Sequence, residues 1–255
     1  VIIFGVKFLT RKDSPKVAII GCLHGDELLG AKAIDLLREI PVPLGSITFF
    51  IANKDAMRAG KRFIDTDANR CCPGDPAGNK EERIVAQLCS TLAPFDYVID
   101  IHSTTATTEG FVVYTKDNAL ALARQTPLRH VVRMGPEIAH GRALIDHVKC
   151  GVSLEYNQAT SPEHVKIHIT SCLQNLGIIA GKPASIPQQE YEVYGFVPKT
   201  QKPLQNFHET TINGELLYPI LAGEKSYPFA CMKARKLRTL PAASTSGLPS
   251  ASSRR

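Results

Sequence analysis

The chain has 255 residues, 44% of them apolar and 21% charged, with a formal net charge of +6; that length and balance suit one large domain, or one plus a small appendage, around a sizeable core. Trp is absent, aromatics make up 7% and the basic residues are scattered, which argues against a nucleic-acid groove and for a local basic pocket that holds a small anion. No apolar run reaches the roughly 18 residues of a membrane span, and seven cysteines without a CxxC spacing indicate neither a disulfide framework nor a Cys-type zinc site, so reduced thiols in a cytoplasmic protein are expected.

In chain order, "VIIFGVKFLT" (1 to 10) has no basic leader and no small-residue cleavage site, so it reads as a strand rather than a signal peptide. The start at Val1 rather than Met is compatible with truncation or processing. "KVAIIG" (16 to 21) is a short β-branched apolar run, as expected of a strand buried on both faces. "ELLGAKAIDLLREI" then places Leu28, Ala31, Ile34, Leu36 and Leu37 near helical spacing, ended by Pro41. "GSITFFIANK" (45 to 54) is the next strand, "EERIVAQLCSTL" (81 to 92) a helix and "DYVIDIH" (96 to 102) another buried strand. "GFVVYT" and "GVSLEYN" read as further strands, and "EHVKIHITSCLQNLGII" as a helix from about 162 to 179.

Strands alternating with helices predict an α/β fold: a mixed, mostly parallel sheet with helices on both faces. That unit is assigned to residues 1–180, followed by a Gly/Pro/Ser-rich linker at 181–188. A small β-rich C-terminal domain is expected at 189–240, because Asn213-Gly214 between apolar flanks is a strong hairpin signal. The polar, low-complexity tail at 241–255 is expected to be disordered.

His24 and Glu27, in "GCLHGDE", lie where a strand gives way to a helix, and an i, i+3 pair on a first helical turn faces one way. His102 closes a second predicted parallel strand. Ligands of open α/β sheets bind beyond the carboxyl ends of the strands. Two imidazoles and one carboxylate converging there match a hydrolytic zinc site, which has three protein ligands and one open position. The competing reading is a capping glutamate and two unrelated histidines. Asp100, two residues before His102, either orients that imidazole or caps a neighbouring loop. His130, His140, His147, His164, His168 and His208 show no ligand spacing.

With "KRFIDTDANR" (61 to 70) added, the pattern resembles the succinylglutamate desuccinylase/aspartoacylase family, relatives of the zinc carboxypeptidases. The fragments that carry the resemblance are "VAIIGCLHGDELLG", "RFIDTDANR", "DYVIDIHSTT", "GVSLEYNQ" and "YPILAGEKSY", in the family's order over residues 16 to 227. The resemblance implies that His24, Glu27 and His102 hold one Zn²⁺ per chain, with Glu155 as general base. It further implies that Arg62 polarises the scissile carbonyl, that Asn69 and Arg70 grip a substrate carboxylate, and that Tyr227 contacts substrate. Each residue has a plainer alternative: an ion pair for Glu155, solvated charges for Arg62 and Arg70, a turn for Asn69, packing for Tyr227.

The chain departs from the family pattern in two places. Aspartoacylases proper carry an arginine ten residues before the catalytic glutamate, where this chain has Ile145; Arg142 is a nearby substitute if the loop shifts. The lysines expected after the family tyrosine are displaced, with Cys231 and then Lys233 following Tyr227. Zinc hydrolysis therefore carries over, whereas N-acetylaspartate as substrate does not. The expected activity is hydrolysis of a small anionic N-acyl amino acid by metal-activated water, without a nucleic-acid or membrane partner, and with homo-oligomerisation left open. A zinc carboxypeptidase-type peptidase is the alternative, and a non-catalytic binding protein the third reading.

Overall fold

The computed structural model describes residues 15–41, 46–135 and 138–242; the strand expected at 1 to 10 and nearly all of the tail expected from 241 lie outside them. β1 (Val17–Gly21) is buried along its whole length, as an unbroken run of β-branched and small apolar residues requires of a strand covered on both faces. It pairs in parallel with β2 (Ile47–Ile51) on one side and β3 (Tyr97–Thr104) on the other. β3 pairs in parallel with β6 (Gly151–Asn157), and β6 pairs antiparallel with β4 (Phe111–Tyr114). β4 then pairs in parallel with β5 (His130–Met134), and β5 with β7 (Gln188–Val197). Beyond β7 the pairing is antiparallel through β10 (Cys231–Leu240), β9 (Glu215–Ile220) and β8 (Thr210–Ile212).

The ten strands form one sheet in the order β2-β1-β3-β6-β4-β5-β7-β10-β9-β8. The strands expected in a separate unit from 189 therefore continue the sheet of the first 180 residues. Gln188, expected at the end of the linker, is already the first residue of β7. The Asn213-Gly214 hairpin forms as expected: both residues have positive φ, 50° and 81°, the backbone a tight two-residue turn between right-twisted strands needs.

Alternate residues along the central strands serve opposite layers. Val17, Ile19, Ile99, Ile101, Val152 and Leu154 face α1 (Leu29–Leu37) and α5 (Pro162–Asn175), which bury Ile34, Leu37, Val165 and Ile169 against them. Ala18, Ile20 and Val98 face α3 (Lys80–Leu92) through Val85, Leu88 and Leu92. Truncating a core residue such as Ile34 to alanine should cost about 2–5 kcal/mol.

The caps are legible in the residues. Asn79 and Glu82 exchange side-chain-to-backbone bonds at the start of α3 (3.1 and 2.8 Å), and Ser161 with Pro162 opens α5. α5 stops at Asn175, four residues short of the expected end, because Gly177 turns left-handed at φ 68°; Ile178 and Ile179 join the core from the loop instead. α2 (Lys54–Ala59) and α4 (Leu120–Ala123) are short elements that the apolar periodicity does not predict. No helix of the described residues is long and apolar enough to cross a membrane.

Candidate functional site

At the carboxyl end of β1 the chain turns sharply. Cys22 adopts φ 54°, a left-handed conformation that costs a non-glycine residue roughly 1–2 kcal/mol. Two glycines permit the close approaches around this corner. A Cβ on Gly21 would lie 2.7 Å from the carbonyl carbon of Gly30, and one on Gly25 would lie 2.2 Å from backbone of Ala56. Gly25 N–H also donates to the Arg62 carbonyl at 2.9 Å, fastening this turn to the 61–70 segment. His24 and Glu27 sit in the turn ahead of α1, not on its first helical turn as expected. The Glu27 N–H to His24 O bond (3.3 Å) closes that turn and brings i and i+3 together just as a helix would.

His24, Glu27 and His102 are all buried, and each offers a ligand atom within 4.8 Å of the others. Nδ1 of His24 lies 2.8 Å from Glu27 Oε1, and Nδ1 of His102 lies 3.0 Å from Glu27 Oε2. Each Nε2 is backed by another carboxylate: Asp67 Oδ1 at 3.0 Å from His24 and Asp100 Oδ2 at 2.7 Å from His102. Of the two readings of Asp100, the structure has the one in which it orients His102. Burial alone would lower both imidazole pKa values, but the charges and hydrogen bonds of Glu27, Asp67 and Asp100 outweigh it and hold both above their ordinary value. Burial would likewise raise Glu27, but the two imidazoles hold it well below the carboxylate range. Two imidazoles and a carboxylate, fixed from behind by further carboxylates, are the donor chemistry of a divalent transition-metal site.

The other expected residues line the same cleft. Glu155 stands beside His102 in the β3–β6 register and, with Arg62, Asn69, Arg70 and Tyr227, lines the same cleft as the three candidate ligands. Burial pushes the Glu155 carboxyl up to about 7, although His102, His24 and Arg62 pull the other way. Arg62 donates to Glu27 Oε1 at 2.9 Å and to Asp67 Oδ2 at 3.4 Å. Burial would lower its pKa, but the charges of Glu27 and Asp67 keep it raised and the guanidinium charged. Asn69 spends its side-chain oxygen on the Leu144 N–H (2.8 Å), leaving its NH₂ as the donor for a ligand. Arg70 Nη1 bonds the Asn69 carbonyl at 2.8 Å. Burial, then the charge of Glu155, pushes the Tyr227 phenol up to about 12, so it stays a neutral donor.

Three carboxylates that sequence reasoning passed over hold this arrangement. Asp67 joins His24 to Arg62 and caps the turn at Asn69 (2.8 Å). Glu81, fully buried on α3, accepts from the N–H groups of Ile64, Asp65 and Thr66 and from Asn53 Nδ2, at 2.8 to 3.2 Å. Glu224 ties the segment that carries Tyr227 to the end of β3 through Thr104 and Thr105. Arg142 does not line this cleft; it lines a separate one with Cys71 and Cys72. Ile145 is buried in the core. Lys233 pairs with Glu215 at 2.6 Å. His130 stacks face to face on Phe207 at 3.9 Å, a packing role. None of the seven cysteines is paired.

Residues 13–171, more than half of the chain, match the model of the succinylglutamate desuccinylase/aspartoacylase catalytic domain. The chain belongs to this family. Within the succinylglutamate desuccinylase/aspartoacylase family, a "probable aspartoacylase" of Trichodesmium erythraeum (strain IMS101) is 32% identical over 105 residues, 36% of each chain. An "N-acyl-aromatic-L-amino acid amidohydrolase (carboxylate-forming)" of Rattus norvegicus is 32% identical over 116 residues, 39% of this chain and 36% of that one. The matches thus span about a third of these relatives' length. The crystal structure of murine aminoacylase 3 shares the fold, with a TM-score of 0.67 at 21% identity over 92% of this chain and 99% of that one.

Proposed function

We propose that this chain is a zinc-dependent amidohydrolase that releases a small acyl group from an N-acyl amino acid. One observation carries the reading: the Nδ1 atoms of His24 and His102 converge on Glu27, with a carboxylate behind each ring, in the cleft that also holds Glu155 and Arg62. The Rattus norvegicus relative is named as an amidohydrolase of N-acyl amino acids, which supports the same class of substrate here.

His24, Glu27 and His102 would hold one zinc ion. Bound there, zinc supplies Lewis acidity and water with a pKa lowered to about 7. The rest of the chemistry falls to side chains. An amide is a poor electrophile, so a proton must leave the attacking water and another must reach the departing amine. Glu155, with a pKa of about 7, is poised to take the first and give the second, a contribution on the order of 10²- to 10⁴-fold. Arg62, charged and fixed by Asp67 and Glu27, places a donor where the carbonyl oxygen gains negative charge. Arg70 and the Asn69 amide hold the carboxylate of the amino acid; a guanidinium fork suits that planar anion. Tyr227 closes the cleft as a hydrogen-bond donor.

Glu155→Gln tests this assignment. Turnover of N-acyl amino acids should disappear while stoichiometric zinc is retained by elemental analysis. Retained activity removes Glu155 from the base role. Protein that neither contains nor takes up zinc removes the hydrolase reading. Turnover of C-terminal dipeptides alone would establish the peptidase in its place.

A further inference from the structure

α5 carries a second pair of imidazoles, which the proposed chemistry does not use. His164 and His168 are four residues apart on one helix, so their side chains leave the same face one turn apart. Their rings lie nearly parallel, at an interplanar angle of 8° with centroids 6.3 Å apart. Along the sequence the two show no ligand spacing. Wound into a helix, they have the i, i+4 separation by which two histidines of one helix share a zinc ion.

The surroundings of the pair suit ligation. His168 is half-buried and stacks on Tyr156, with centroids 5.9 Å apart at 16°, and its Nδ1 lies 3.3 Å from the Tyr156 hydroxyl. Tyr156 is 1% exposed, so that hydroxyl is a fixed partner. With Nδ1–H donated to the hydroxyl oxygen, Nε2 keeps its lone pair. Metal-bound histidines are commonly held this way, by an acceptor on the nitrogen that does not bind the ion. Burial, then the neighbouring His164, lowers the His168 pKa. The ring is therefore neutral at pH 7, the form that ligates. His164 is exposed. Packing accounts for His168 on Tyr156, but not for an exposed imidazole set parallel to it.

We infer that His164 and His168 form a second metal site, which takes a divalent transition-metal ion on two imidazole nitrogens and fills its other positions with water. Imidazole donors suit Zn²⁺, Cu²⁺ and Ni²⁺, whereas Mg²⁺ and Ca²⁺ take oxygen ligands. The site is separate from the cluster of His24, Glu27 and His102. Tyr156 and Glu155 are successive residues of β6 and face opposite ways. Tyr156 packs in the layer of α1 and α5, while Glu155 lines the catalytic cleft. The inference does not depend on the deacylase reading. An ion shared by consecutive turns clamps the start of α5, so occupancy should also raise stability.

The probe is Ni²⁺, added to zinc-loaded protein and followed by equilibrium dialysis with elemental analysis of both metals. Wild type should bind one more equivalent of Ni²⁺ than His164→Ala, with zinc content the same in both. The difference between the two proteins is the readout, so it stands whether or not the catalytic cluster holds zinc. His164 is exposed, so its alanine variant keeps the fold. His168→Ala should lose the same equivalent. Tyr156→Phe should bind it about 10- to 100-fold more weakly, having lost the partner behind the ring. With Ni²⁺ at about 100 times Kd, the melting temperature of wild type should rise by roughly 5–10 °C and that of His164→Ala should not. Equal Ni²⁺ binding by wild type and His164→Ala overturns the inference. An equivalent lost in His164→Ala but kept in His168→Ala also overturns it, because a single imidazole would then suffice. Displacement of the Ni²⁺ by Mg²⁺ as readily as by Zn²⁺ would mean oxygen ligands and overturns it as well.

Discussion

Glu224 offers a test of how the cleft is held together that does not depend on metal or turnover. It is 9% exposed. Its Oε2 accepts from Thr104 Oγ1 (2.5 Å), Thr105 N–H (2.8 Å) and Thr105 Oγ1 (3.1 Å), and its Oε1 accepts from Ser226 N–H (2.8 Å). Removing a charged acceptor leaves the buried Thr104 hydroxyl and three part-buried donors unpaired, and each such bond is worth about 1.5–3 kcal/mol. Bonds that share one oxygen do not add fully, so Glu224→Ala should cost on the order of 4 kcal/mol. For a chain of this size that lowers Tm by about 10 °C. Glu224→Gln keeps the shape, but its NH₂ must face one set of donors, so an intermediate loss of about 2 kcal/mol is expected. Burial would raise the Glu224 pKa, but the bonds from Thr104, Ser226 and Thr105 hold it below the ordinary range. Its contribution is therefore complete above the usual carboxylate pKa and fades as pH falls through the lowered value, so the deficit of the alanine variant should shrink in acid. Thermal melts at neutral and acid pH, with amide exchange at Thr105 and Ser226, read all of this. A Glu224→Ala protein with unchanged Tm and unchanged protection at both amides would refute the reasoning.

Arg62→Ala should lower kcat by about 10²- to 10³-fold and raise KM much less, since its donor is assigned to charge that develops only in the transition state; a change confined to KM would make Arg62 a ground-state binder. Asp67→Asn should weaken zinc binding by about 10- to 100-fold, as loss of a carboxylate behind a ligating imidazole does elsewhere, measured by competition with a chelator; unchanged affinity would mean that Asp67 serves Arg62 and the turn at Asn69 rather than the metal. His130, stacked on Phe207 with Nδ1 unpartnered, has its pKa pushed down to about 4 by burial, against the pull of Glu109. The unfolded chain then binds more protons between about 6.5 and 4, so stability should fall as pH drops through that window. His130→Phe should flatten the decline in urea midpoint from pH 7 to pH 5, and an unchanged slope would place the acid sensitivity elsewhere.

The central strands are legible because β1 and β3 are buried on both faces, which makes β1 continuously apolar and β3 apolar except where Asp100 and His102 enter the site. β10 is not, because half of it faces solvent. Its run "KARKLR" shows no apolar period, and Lys233, Arg235 and Arg238 are instead matched by Glu215, Glu192 and Glu190 on neighbouring strands. Pairing of that kind is invisible along one segment. The same distinction runs through the site. His24 with Glu27, Asn69 with Arg70, and Asp100 with His102 lie within a few residues of each other and read as motifs. Glu81 acts on a loop some fifteen residues away and Glu224 on the end of a strand 119 or 120 residues away. Asp67 lies inside "RFIDTDANR", and the need of each ligating imidazole for a partner behind it is the signal that points to it for His24 as to Asp100 for His102.

Charge in the cluster argues that its convergence is more than packing. Glu27, Asp67 and Asp100 bring three carboxylates to two imidazoles, and among the described residues Arg62 is the one permanent cation bonded to the cluster, through Glu27 and Asp67. The raised pKa values of both histidines follow from that excess of negative charge. An ion-pair network whose purpose was stability would gain more from well-packed apolar groups of the same volume, and it would have no reason to face a cleft. Here the two Nδ1 atoms are turned inward to a shared carboxylate, the Nε2 atoms are occupied from behind, and the opening above holds Glu155, a carboxyl balanced near neutrality by its burial. A divalent cation held by His24, Glu27 and His102 would balance that surplus where the geometry concentrates it.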